Sequence, residues 1–82
     1  MNKIQVLFFA TFRDRAGTRQ ASMEIPEGMQ VTQFKALLAD KYPNLREGMA
    51  SVLVAVNKDY AFDKDVIPAG AEVALFPPVS GG

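Results

Sequence analysis

At 82 residues the chain has room for one domain with a single modest core, and its 49% hydrophobic content places it with globular proteins. Nine Lys and Arg balance nine Asp and Glu, so the basic excess of a nucleic-acid binder is missing. Cys and His are both absent, which removes a disulfide framework, a thiolate nucleophile, a histidine base, and sulfur or imidazole metal ligands.

No apolar run reaches the roughly 18 residues of a membrane span. The early run Val6 to Ala10 is strand-sized and lacks the flanks of a signal peptide. The expected setting is soluble and cytoplasmic, with no membrane and no nucleic-acid partner.

Residues Lys3 to Thr11 alternate as a strand. Ile4, Val6, Phe8 and Ala10 make one apolar face and should be core. Gln5, Leu7, Phe9 and Thr11 make the other face, where Leu7 and Phe9 need a reason. Arg13 to Thr18 is polar, and Gly17 suits a turn. Gln20 to Ile25 alternates again, with Ala21, Met23 and Ile25 inward, as the second strand of an antiparallel hairpin. Pro26-Glu27-Gly28 closes it.

One helix follows. Thr32 is its expected cap, since a threonine hydroxyl accepts from free first-turn amides. Lys35 stands where a capping box would place Glu or Gln. Phe34, Leu37, Leu38 and Tyr42 form its apolar stripe. Pro43 ends it near Tyr42. Asn44 to Ala50 reads as a connector. Ser51 to Asn57 is β-branched and reads as a buried strand. Asn57-Lys58-Asp59 supplies a turn, and Tyr60-Ala61-Phe62 a short return strand. Ile67-Pro68-Ala69-Gly70 leads into the last strand, Glu72 to Phe76. There Val73 and Leu75 should face the core, and Ala74 and Phe76 outward. The sum is an α+β domain with one main helix across one sheet face.

The chain closes on Phe76-Pro77-Pro78-Val79-Ser80-Gly81-Gly82. The two prolines remove amide donors, stop the ladder after Phe76 and favour an extended path. Six extended residues reach about 20 Å. Val79 and Ser80 are small, and Gly81 and Gly82 have no Cβ, so such a tail fits a narrow channel. Its carboxylate could react in a partner's active site once adenylation supplied a leaving group. An incoming sulfur would then give an acyl-sulfur species. The domain is thus expected over residues 1–76, with residues 77–82 as a reactive tail.

These features resemble the small subunits of molybdopterin synthase, the MoaD-type sulfur carriers. The matching pieces are Val6 to Ala10 with Arg13 and Gly17, then Val54 to Asn57, then Glu72 to Gly82. The proline-proline segment with terminal Gly-Gly is the specific part. The resemblance implies a β-grasp, ubiquitin-like fold with the first and last strands parallel at the sheet centre. That topology would gather Leu7, Phe9 and Phe76, joined by Tyr60, on the face opposite the helix as a partner interface, with Arg13 beside it. It further implies that a ubiquitin-activating-like adenylyltransferase, using ATP and magnesium, adenylates Gly82. A sulfur donor protein converts Gly82 to a thiocarboxylate. The large catalytic subunit then receives the sulfur on a cyclic pyranopterin phosphate. The chain itself would bind no cofactor or metal and contribute no catalytic side chain. A thiamine-pathway carrier, a protein-modifying tag joined through Gly82 and a plain interaction module are the rival readings. The Phe-Pro-Pro segment argues against the first.

Overall fold

The computed structural model describes residues 1–78. Strand β1 (Asn2–Phe8) leads into helix α1 (Thr11–Ala16), and β2 (Gln20–Ile25) returns antiparallel beside β1. Helix α2 (Val31–Lys41) is followed by a 3-10 turn (Pro43–Leu45) and a short helix α3 (Arg46–Met49). Strands β3 (Leu53–Val56), β4 (Asp59–Tyr60) and β5 (Glu72–Phe76) complete a five-stranded sheet in the order β2-β1-β5-β3-β4. The central pair, β1 and β5, is parallel; the other neighbours are antiparallel. With α2 packed across one face, this is the β-grasp arrangement.

Alternation along the strands fixes which face is buried. Ile4, Val6 and Phe8 of β1, Val54 of β3, and Val73 and Leu75 of β5 meet Val31, Phe34 and Leu38 of α2 in one core. Leu37 and Tyr42 pack half-buried at its margin, and Tyr42 meets the Phe8 ring edge-on at 5.5 Å. At the β3–β4 corner Asn57 and Lys58 both have positive φ, as primed two-residue hairpin turns require. Asn57 also ties the sheet together: its Oδ1 accepts the Glu72 amide at 3.0 Å, and its own amide donates to the Glu72 carbonyl at 2.8 Å.

Several expectations need correction. Ala10 is not core: it is exposed, with φ 51°, because the chain leaves the sheet after Phe8 and turns into α1. The polar stretch after it is helical, not a loop. Helix α1 buries Phe12 and ends at Gly17, whose φ of 78° and N–H donating a hydrogen bond to the Arg13 carbonyl close the helix. β1 and β2 are therefore antiparallel neighbours joined by a helix, not by a tight turn. Thr32 does not cap α2. Gln30 is the cap, and its amide donates to Gln33 Oε1 at 2.9 Å, the capping-box bond two residues earlier than expected. The connector after Pro43 is folded too and contributes fully buried Leu45. The return strand stops at Tyr60, so Phe62 lies outside it.

The contact between α3 and α1 makes a sharp prediction. A Cβ on Gly48 would sit 2.9 Å from Cε1 and Cζ of the Phe12 ring, which is only 2% exposed. Helix propensity favours alanine there by about 1 kcal/mol. Overpacking a closed core costs about 1–3 kcal/mol. The Phe12 ring is buried in the core, so the steric cost is expected to exceed the propensity gain. Gly48→Ala is expected to lower stability by about 1 kcal/mol net. Thermal unfolding checks this, and an unchanged or raised melting temperature would show that Phe12 can move aside.

Candidate functional site

Sheet register builds the face opposite α2. Leu7 pairs with Ala74, Ala74 with Ala55, and Ala55 with Tyr60, which makes one row across four strands. The next row brings Phe9, Phe76 and Leu53 together, because Leu53 pairs with Phe76 and the Phe9 and Phe76 rings stack. Their centroids are 4.7 Å apart and their planes differ by 11°. Leu7, Phe9, Tyr60 and Phe76 thus come together on one face, the grouping that the family resemblance implied. Ala74 faces this side as expected, yet it is only 7% exposed, as is Ala55. Two small residues between large ones leave a depression. The result is a groove of about 300 Å³ with alanines in its floor, walls of Leu7, Phe9, Tyr60 and Phe76, and Lys58 and Glu72 at the rim.

The parallel pairing of β1 and β5 decides where the chain leaves the face. Both strands run toward the same end of the sheet, and the Phe9 amide still donates to the Leu75 carbonyl at 3.2 Å. Pro77 and Pro78 follow Phe76 at that end, half-buried and exposed respectively. Val79, Ser80, Gly81 and Gly82, the remaining expected tail residues, lie outside the described residues.

Arg13 stands apart from this groove. It lies on α1 and lines a separate hollow with Leu7, Phe9, Arg19 and Gln20, on the other flank of Phe9. Its guanidinium lies 3.8 Å from Asp14, a loose surface pair worth little. Arg19 is a second cation at this flank. No sequence signal marked it, since a lone arginine before a strand looks like any solvated charge. Among the described residues no group of His, Cys, Asp and Glu is arranged to hold a metal. What this surface offers is apolar docking area beside an emerging chain end.

Residues 6–82 match the model of the ThiS family. A molybdopterin synthase sulfur carrier subunit of Mycobacterium tuberculosis is 36% identical over 83 residues, covering 100% of both chains. A solved Pyrococcus furiosus protein described as a putative molybdopterin converting factor, subunit 1, is 30% identical with a TM-score of 0.86, covering 96% of this chain and 100% of that one. SAMP1 of Haloferax volcanii, a small archaeal modifier protein, is 28% identical with a TM-score of 0.83, covering 98% and 99%. The chain belongs to the ThiS family, and its relatives place it among the molybdopterin synthase sulfur carrier subunits.

Proposed function

We propose that this protein is the non-catalytic, sulfur-carrying subunit of a molybdopterin synthase and that the Gly82 carboxylate is the group that carries sulfur. The observation that supports this best is the solvent-facing cluster of Leu7, Phe9, Tyr60 and Phe76 beside the end of the sheet where β5 runs into Pro77 and Pro78. A partner that grips the face thereby receives the tail.

In the proposed cycle the face docks on an adenylating enzyme, which supplies ATP and magnesium. The Gly82 carboxylate attacks the α-phosphate of ATP, and pyrophosphate leaves. A donor protein's persulfide sulfur then attacks the acyl carbon and displaces AMP. A second thiol cleaves the resulting sulfur–sulfur bond, leaving a Gly82 thiocarboxylate and a disulfide. The charged carrier docks on the large subunit, and its sulfur forms a carbon–sulfur bond to a cyclic pyranopterin phosphate as a carbon–oxygen bond of the cyclic phosphate ester breaks. Hydrolysis of the acyl link regenerates the carboxylate. The proposed location is the cytoplasm. No helix among the described residues is long and apolar enough to cross a membrane.

Intact-mass analysis tests this reading. Incubation with an adenylating partner, ATP and a persulfide donor should add the mass difference between sulfur and oxygen, localised to Gly82. No mass gain under conditions that charge a related carrier would contradict it. The likeness to SAMP1 favours a second reading, a tag joined through Gly82 to lysines. Isopeptide conjugates in cell extract, without a thiocarboxylate form, would select that reading instead.

A further inference from the structure

Tyr60 is shared by two depressions. One is the groove already described, and the other lies round the β4 edge of the sheet. The second, about 480 Å³, is lined by Lys35, Val52, Leu53, Tyr60, Ala61 and Phe62. Leu53 links the two as well, since it pairs with Phe76 in the sheet. Tyr60 is 71% exposed and Phe62 76% exposed. The apolar surface is therefore one band that starts at Leu7 and Phe9 and bends round the sheet edge to Phe62.

Phe62 is held outward by a tethered turn. Its amide donates to Asp65 Oδ2 at 2.8 Å, and the Asp65 amide donates back to the Phe62 carbonyl at 3.0 Å. The Val31 and Thr32 amides at the start of α2 donate to the carbonyls of Asp65 and Asp63. Lys35 Nζ meets Asp63 Oδ1 at 2.7 Å. Ahead of Phe62, the Ala61 amide donates to the Val54 carbonyl at 2.8 Å. An exposed aromatic on a backbone fixed at so many points loses little freedom when it binds.

A stable protein interface uses about 20–30 residues on each side. The Leu7–Phe9–Tyr60–Phe76 groove supplies far fewer, and the apolar surface continues from it toward Phe62. We infer that the docking surface extends onto Phe62 and that its occupant is the synthase's large subunit, which meets Phe62 with an aliphatic or aromatic pocket. A lasting subunit contact needs more apolar area than a passing enzyme encounter. This rests on the sulfur-carrier reading above.

The test titrates full-length wild type, Phe62→Ser and Phe76→Asp against the large subunit by calorimetry. It also measures acyl-adenylate formation by the adenylating enzyme. Phe62→Ser is expected to lower large-subunit affinity at least about tenfold, as for an aromatic hot spot. Its melting temperature should hold, because an exposed side chain contributes little to the core. Adenylation should stay within about twofold of wild type, since the change is absent from the tail and its groove walls. Wild-type affinity for the large subunit in Phe62→Ser, while Phe76→Asp fails to bind, would overturn the extension alone. A loss confined to adenylation, or to self-association in sedimentation, would assign the patch to another occupant and also overturn it. Failure of the wild type to bind would remove the carrier reading and this inference with it.

Discussion

Deleting Gly82 is expected to abolish sulfur transfer altogether while leaving the melting temperature unchanged. Among the described residues every fully buried side chain lies between Ile4 and Leu75, and β5 ends at Phe76. The proposed role of the tail is therefore chemistry and reach, with little effect on stability expected. Loss of one residue shortens an extended segment by about 3.3 Å and replaces a glycine carboxylate with that of Gly81. A misplacement of about 1 Å is enough to cost a factor of about 100 in a positioned reaction, so a displacement three times as large should leave no measurable turnover. Adding an alanine after Gly82 should have the same outcome, because it places a Cβ where the channel is expected to admit none. The measurements are thiocarboxylate formation by intact mass and unfolding by heat. Turnover by the shortened chain at the wild-type rate would show that the reactive group is elsewhere.

Phe76→Asp is expected to weaken partner binding at least about 100-fold, the scale of truncating a central aromatic hot spot. Two effects add. The partner loses an aromatic side chain at the centre of the face, and the complex must bury a carboxylate without a designed partner. The isolated domain should lose less. Phe76 is half-buried, and its contacts include the stacked Phe9 ring. Such a stack is worth about 0.5–1.5 kcal/mol beyond area burial. A total loss of about 2 kcal/mol leaves a domain with a typical 5–15 kcal/mol of stability folded. By contrast, Phe34 on the helix side is fully buried. Calorimetric titration with either partner, alongside thermal unfolding of the free chain, separates the two effects. Wild-type affinity in Phe76→Asp would mean that partners use another surface.

The strand positions were readable because period-two alternation is a local property. β2 and β5 have the expected bounds, and Val73 and Leu75 are core as expected. The helical stripe of Phe34 and Leu38 was readable for the same reason at a different period. Helix α1 was not. Six residues cannot show a helical period, and its single buried residue, Phe12, lies in a polar run. Its exit from β1 through the positive φ of Ala10 has no signature in residue type, since alanine rarely adopts it. The cap of α2 was misplaced because Gln is a weak cap signal beside Thr. Arg13 was grouped with the apolar face on resemblance, and the geometry of α1 puts it across Phe9 from the groove.

The sequence by itself determined the alternating faces, the one long helix, the absence of thiol and imidazole chemistry, and the Gly-Gly ending. These depend on residue type and spacing along the chain. Only the tertiary structure decided that residues 7, 9, 60 and 76 form one surface, that alanines floor the groove between them, and that Phe62 stands out beside it. Those facts depend on register between strands distant in sequence, and register is set by the buried face of the whole sheet, not by any segment alone.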